Sequence, residues 1–235
     1  GAGSGMKTRM LLEHMHSPAA YVPVDISEEH LLESQQSIQA DFPGIEVLPV
    51  AADFLHPFQL PDPQTMPLRN VVYFPGSTIG NFERDDAVDL LRVMHAEAGE
   101  DGALLIGIDL QKDPAVIHAA YNDSAGVTAE FNLNMLRHLN RIFGSDFDLD
   151  AFEHRATYRP DEGRVVIELV SAREQEAHLG GARIAFEDGE SIITEYSHKY
   201  TLDDFAAMAG EAGFIVEQGW ADPREWFSVQ YCTRD

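Results

Sequence analysis

Asn70-Val71-Val72-Tyr73-Phe74-Pro75-Gly76-Ser77-Thr78-Ile79-Gly80-Asn81 begins as an apolar run, stops at a Pro-Gly turn and continues in small polar residues. The run predicts a buried strand and the turn predicts its end. Residues 85–98 then carry helical apolar spacing, and Gly102-Ala103-Leu104-Leu105-Ile106-Gly107-Ile108-Asp109 is a second apolar strand. A strand-helix-strand unit with strands this apolar belongs to a parallel sheet covered on both faces. The same rhythm extends toward the N-terminus. A glycine turn, Gly1-Ala2-Gly3-Ser4-Gly5, feeds a helix from Met6; residues 21–26 form a short strand ending in an acid; residues 28–40 form an amphipathic helix with Leu31, Leu32 and Ile38 inward. Residues 45–51 are strand-like before Asp53-Phe54, and the Pro-rich residues 57–67 read as a surface loop. The expected fold class is α/β, a doubly wound sheet.

Toward the C-terminus the rhythm changes near Asp113. Residues 115–142 read as helices interrupted at Gly126, and residues 152–200 as several strands and turns. Thr201-Leu202-Asp203-Asp204 is a capped helix start, with Phe205, Met208 and Ala212 on one face and Gly213 as the stop. Residues 214–220 and 226–232 are expected as a closing hairpin. The chain therefore divides into a core over 1–112, an inserted region over 113–200, and a return to the core over 201–235. No internal repeat is present.

Sixteen basic against forty acidic residues give a formal charge of −24. Such a surface repels a phosphate backbone and an anionic bilayer, so neither nucleic acid nor membrane is an expected partner. The longest apolar runs are strand-sized, far below the roughly 20 residues that span a bilayer. One cysteine, Cys232, cannot form an internal disulfide and reads as packed rather than nucleophilic; a reducing, cytoplasmic setting is expected. The ten histidines show no zinc-type spacing, so no metal is expected, and no serine lies in a nucleophile elbow.

Three features carry chemistry. Gly1-x-Gly3-x-Gly5 before a helix, with Asp25 about twenty residues on at a strand end, follows the logic of an adenosyl-ribose site, in which glycines admit the ligand and the acid accepts from hydroxyls. A glycine turn and a capping aspartate would look the same. Asp53-Phe54 offers an acceptor for an adenine amino group and an aromatic cover for the ring; the alternative is a cap followed by a core phenylalanine. Gly76-Ser77-Thr78 and Gly80-Asn81 leave their strand with groups suited to contacting a ligand, or simply to making a turn.

Longer segments carry a resemblance. Residues 74–82 (Phe-Pro-Gly-Ser-Thr-Ile-Gly-Asn-Phe), 109–113 (Asp-Leu-Gln-Lys-Asp), 121–132 (Tyr-Asn-Asp-Ser-Ala-Gly-Val-Thr-Ala-Glu-Phe-Asn) and 146–154 (Asp-Phe-Asp-Leu-Asp-Ala-Phe-Glu-His) resemble, in order and spacing through essentially the whole chain, the histidine Nα-methyltransferases of ergothioneine biosynthesis. A related branch of that family methylates tryptophan-derived amines.

The resemblance implies a Rossmann-like methyltransferase core with an α+β substrate-binding region over 113–200. It also implies S-adenosylmethionine as methyl donor and a small amino acid as substrate. Gly1, Lys7, Asp25, Asp53 and Phe54 match the family's donor-binding positions. Gly76, Thr78, Asn81 and Tyr121 match those around the amino acid's amine and carboxylate, Asn81 and Tyr121 being its principal partners and the expected catalytic pair. Glu195 and Ser197 match a pair that binds an imidazole, and Ile167 stands where some members place a methionine against the ring. The sequence opens on the first glycine of the donor motif, so the core is expected to lack its first strand and the N-terminal aromatics that surround the substrate. Two alternatives follow: methylation of tryptophan or another amine, against which Glu195 argues because a carboxylate facing an apolar ring is poorly satisfied, and a truncated fragment that binds ligand without turnover.

Overall fold

A computed structural model describes residues 5–234. Helix α1 (Met6–Leu12) precedes strands β1 (Ala20–Tyr21) and β2 (Val24–Asp25), helix α2 (Glu28–Asp41), and strands β3 (Glu46–Val47) and β4 (Val50–Ala51). The two strands expected over 21–26 and 45–51 each form as two short pieces. The interruptions fall at Pro23 and Leu48-Pro49, where proline has no N–H to give. The chains nevertheless run together: β1 pairs with β3 and β2 with β4, both parallel, and Val50 N–H bonds the Pro23 carbonyl at 2.9 Å. Ser27 caps α2 through the His30 N–H, while Leu31 and Ile38 are buried and Leu32 is exposed.

The main sheet is built from β5 (Val71–Phe74), β6 (Ala103–Asp109), β12 (Phe214–Ala221) and β13 (Phe227–Arg234) in the order β12-β13-β6-β5. Strands β5 and β6 are parallel, in register from Val71↔Ala103 to Phe74↔Ile106. They are joined by α3 (Arg84–Ala98), whose Ala87, Leu90, Leu91 and Met94 face inward. β13 is antiparallel to both its neighbours, so the sheet is mixed. Helix α6 (Leu202–Glu211), capped by Thr201, buries Phe205 and Met208 in the same core. Cys232 is fully buried there, and burial pushes its thiol up to about 12, which leaves it inert at neutral pH.

Residues 113–200 hold helices α4 (Pro114–Tyr121) and α5 (Val127–Phe143) and strands β7 (Phe152–Arg159), β8 (Arg164–Ser171), β9 (Gln175–Leu179), β10 (Ala182–Phe186) and β11 (Ser191–His198). β7, β8 and β11 form an antiparallel sheet in the order β11-β8-β7, and β9 and β10 a hairpin. Asp123 accepts from the Val127 and Thr128 N–H groups at the start of α5. Those bonds hold its carboxyl down at about 2, as expected of an anion at a helix N-terminus. A second core of Leu136, Phe147, Phe152, Leu169, Ala177 and Phe186 fixes α5 on this sheet. Among the described residues no helix is long and apolar enough to cross a membrane.

Candidate active site

The parallel strands bring the expected donor-side groups to one end of the fold. Asp25 is the last residue of β2 and pairs with Ala51, so Asp53 follows two residues beyond the same strand end. The Asp25 carboxylate accepts from the Ser27 N–H at 3.0 Å. Asp53 accepts from the Leu55 N–H at 3.0 Å and meets His56 Nδ1 at 2.9 Å. The Leu55 bond and His56 hold the Asp53 carboxyl below its ordinary range. Asp53 therefore does cap its turn, and it remains ionised and half-exposed. Phe54 leans edge-on against Phe74, centroids 5.7 Å apart, which carries this end across to β5. Tyr73 Oη on β5 donates to the Lys7 carbonyl at 3.4 Å; the Lys7 residue is exposed. Gly1 lies outside the described residues.

The segment after β5 connects this region to the antiparallel sheet of β7, β8 and β11. Ser77 adopts a left-handed backbone, φ 56°, and its Oγ accepts the Asp109 N–H at 2.8 Å, fixing the turn to the end of β6. A side chain in this conformation stores about 1 kcal/mol or more of strain, a cost that recurs at ligand-contacting turns. Among the described residues, a Cβ on Gly76 would meet only Thr78 Oγ1, at 3.5 Å. Residues Thr78–Asn81 form one 3₁₀ turn. It is clamped to β11, because His198 Nδ1 donates to the Gly80 carbonyl at 2.9 Å and Tyr200 Oη donates to the Ile79 carbonyl at 3.2 Å. A Cβ on Gly80 would lie 2.7 Å from the His198 carbonyl. Gly80→Ala is expected to cost about 1–3 kcal/mol of stability, read as a lower urea midpoint; an unchanged midpoint would show that the clamp yields freely. Asn81, at the exposed end of this turn, makes no side-chain hydrogen bond among the described residues.

Cross-strand register brings the residues expected on the acceptor side together. Ala156, Ile167 and Glu195 lie in one row, and Tyr158, Val165 and Ser197 in the next, so all six share a face. A bulge between Ile193 and Glu195 sets this register and places Glu195, rather than Thr194, opposite Ile167. Helix α4 covers the face through Ile117 and Tyr121, which pack with Ala156, Val165 and Ile167. Tyr121 Oη and Ser197 Oγ are 2.8 Å apart. Thr194 and Glu195 line, with Phe131, Asn132, Met135 and Leu139 of α5, a groove of about 290 Å³. Burial pushes the Glu195 carboxyl above its ordinary range, and Lys199 pulls it partly back.

Lys199 and His154, given no role by the sequence, hold Tyr121 in place. Lys199, 4% exposed, donates to Tyr121 Oη and Ser197 Oγ, both at 2.7 Å, and pairs with Asp109 at 2.9 Å. Asp109 also pairs with Lys112, which donates onward to the Trp226 carbonyl. The two-residue spacing of Glu195, Ser197 and Lys199 was the signal for the lysine; its partner lies 90 positions away in sequence and left none. His154 secures Tyr121 from behind. Its Nε2 lies 2.8 Å from the Tyr121 carbonyl and its Nδ1 3.0 Å from Asn132 Nδ2, which fixes the Nε2–H tautomer. No group of histidine, cysteine and acidic side chains able to hold a metal occurs among the described residues.

The sequence model of the family described as "Histidine-specific methyltransferase, SAM-dependent" matches residues 1–234. Histidine N-alpha-methyltransferases of Mycolicibacterium smegmatis and Mycobacterium tuberculosis are 35% and 34% identical over 240 residues, each alignment spanning all of this chain and 74% of the relative. Ergothioneine biosynthesis protein 1 of Neurospora crassa is 26% identical over 96% of this chain and 26% of its own length. The fold matches an S-adenosylmethionine-dependent methyltransferase of Clostridium acetobutylicum at TM-score 0.52 and 11% identity, over 99% of this chain and 81% of that one. It also matches the PH0226 protein of Pyrococcus horikoshii at TM-score 0.51 and 12% identity, over 100% of this chain and 80% of that one. These neighbours share the Rossmann-like α/β architecture.

Proposed function

The chain belongs to the family of S-adenosylmethionine-dependent histidine-specific methyltransferases, and from that premise we propose that it transfers methyl groups from S-adenosylmethionine to the α-amine of L-histidine, up to trimethylhistidine, as in ergothioneine biosynthesis. The observation that carries the choice of acceptor is the placement of Glu195 and Ser197 two residues apart on one face of β11, opposite Ile167 and beside Tyr121. Side chains two apart on a strand are separated by about 6.8 Å. An imidazole lying between them reaches both through its two nitrogens with hydrogen bonds of about 2.8 Å. Ile167 forms an apolar wall for the ring.

The donor-side residues fit an adenosyl ligand. Two carboxylates stand at or just beyond neighbouring parallel strand ends, an aromatic lies beside them, and the backbone at Gly76 has space for close approach among the described residues. When bound, S-adenosylmethionine supplies an electrophilic methyl group on a sulfonium. Asp25 would then accept from the ribose and Asp53 from the adenine amino group, with Phe54 against the base and Lys7 nearby; Gly1, the remaining donor-side position, lies outside the described residues. Asn81 and Tyr121 hold the amino acid's amine and carboxylate, so that the neutral amine lone pair lies in line with the transferred carbon. Catalysis here is alignment of two reactants in a fixed geometry, worth several powers of ten without any covalent intermediate. The setting we assign is cytoplasmic, with a free amino acid as the partner.

Mass spectrometry of products after incubation with S-adenosylmethionine and a panel of amino acids tests the assignment. The expected result is stepwise addition of one, two and three methyl groups to histidine alone. Methylation of tryptophan in its place would move the acceptor to the related amine branch. Donor binding with no product on any amino acid would make the chain a ligand-binding fragment.

A further inference from the structure

The Lys199 cluster can be resolved proton by proton. A lysine ammonium has three N–H donors and no acceptor, and Lys199 has three acceptors within 2.9 Å: Asp109 Oδ2, Tyr121 Oη and Ser197 Oγ. Its donors are saturated. Neither hydroxyl can give its own proton to the lysine, so Tyr121 and Ser197 have two O–H protons to place. One fills the 2.8 Å contact between the two oxygens; the other points into the site. The pair therefore offers a ligand one hydrogen-bond donor, from Ser197 or from Tyr121, and never both.

The acceptor assigned above decides between them. A neutral imidazole has one N–H and one bare nitrogen. Glu195, as a carboxylate, accepts the N–H, and the bare nitrogen needs a donor where Ser197 stands. The single free proton must then be on Ser197, so the Tyr121 proton is turned toward Ser197 Oγ. Tyr121 accepts from Lys199, donates to Ser197, and presents its remaining lone pair to the substrate. We propose that Lys199, held by Asp109, is the specificity-determining positioning residue of this site: by donating to both hydroxyls it limits the pair to a single outward proton, which the bound ring draws to Ser197 for its bare nitrogen, leaving Tyr121 to face the substrate amine as an acceptor. This rests on the assignment of Glu195 and Ser197 to the ring.

Lys112 keeps Asp109 paired if Lys199 is replaced, so Lys199→Met removes the ammonium without stranding the carboxylate. The test is calorimetric binding of L-histidine and of the two pyrrolylalanines, which replace one or the other ring nitrogen by carbon, to the protein loaded with S-adenosylhomocysteine. The unsubstituted protein should prefer histidine by about tenfold or more over the analogue that lacks the bare nitrogen, the worth of one hydrogen bond. In Ser197→Ala that preference should collapse to near unity, in Lys199→Met, where Ser197 keeps its O–H but loses the donor that holds its proton outward, it should fall several-fold, and the double variant should lose no more than Ser197→Ala alone. A residue with a merely structural role would weaken both ligands alike and leave the ratio intact; that outcome overturns the proposal while histidine binding stands. Absence of histidine binding to the unsubstituted protein overturns the ring assignment, and this proposal with it. Should Lys199→Met fail to fold, Tyr121→Phe decides, because Ser197 still accepts from Lys199 and still donates outward. It should weaken histidine binding and keep the ring preference; loss of the preference in Tyr121→Phe would overturn the proton order.

Discussion

Replacing Asn81 by alanine is expected to lower kcat/KM for histidine about a hundredfold, the loss of one or two hydrogen bonds to charged groups of the substrate. Affinity for S-adenosylmethionine and Tm should be unchanged. Two observations argue for so clean a separation. The Asn81 side chain is exposed and makes no hydrogen bond among the described residues, so the folded protein has nothing there to lose. The turn that presents it is held by backbone contacts from His198 and Tyr200 to Gly80 and Ile79, which the substitution does not touch. Steady-state kinetics with donor titration checks it. Unchanged turnover would remove Asn81 from substrate binding, and a matching fall in donor affinity would move it to the other half of the site.

Glu195→Gln should move function and stability in opposite directions. Exchanging the carboxylate that accepts the ring N–H for a neutral amide oxygen, which accepts the same proton without charge assistance, should lower kcat/KM for histidine by about tenfold. Stability at neutral pH should rise. Burial raises the folded-state pKa of Glu195 above its ordinary 4.5, with Lys199 offsetting part of the effect. The protonated form is therefore the one the fold favours, and its contribution is fully present below pH 4.5 and lost as pH rises through the folded value. The uncharged glutamine escapes that loss. Its Tm advantage over the parent should be greatest above the folded pKa and fade as pH falls toward 4.5. A Glu195→Gln protein less stable than its parent at neutral pH would show instead that the carboxylate is net favourable in the free enzyme, through its attraction to Lys199.

The parts of the molecule legible in the sequence are those in which neighbouring residues decide the outcome. The strand-helix-strand unit over 71–109 follows from local apolar spacing, and the helices on either side of Gly126 follow from the same rule. The change of rhythm near Asp113 coincides with the passage from β6 to helices α4 and α5 and the antiparallel sheet of β7, β8 and β11. Asn81 and Tyr121 stand in segments that carry the resemblance, whereas Glu195 and Ser197 taken alone read as the solvated face of a strand. Other features depend on pairs that are distant in sequence. The Asp109–Lys199 ion pair requires that β6 end beside β11, and the face to which Glu195 turns depends on a bulge that no local pattern marked. The left-handed backbone at Ser77 was hidden too, because glycine stands next to it and would have been the residue expected to take that conformation. Pro23 and Pro49 were visible in the sequence; their effect, strands split into two short pieces, became clear only in the pairing.

The placement of β13 has a consequence for how the protein comes into being. The last strand in chain order is not at the margin of the main sheet but inside it, between β12 and β6, bonded to β6 across more than a hundred residues of chain. On the ribosome, β5, α3 and β6 are made early and must wait with the edge of β6 unfilled until residues 227–234 emerge. At elongation rates of about 5–20 residues per second, that wait lasts several seconds. Contacts of such long sequence separation also form slowly. During this interval β6, apolar on both faces, is open to mispairing with other chains. Synthesis, more than the finished fold, is therefore the stage at which this protein most depends on chaperone protection.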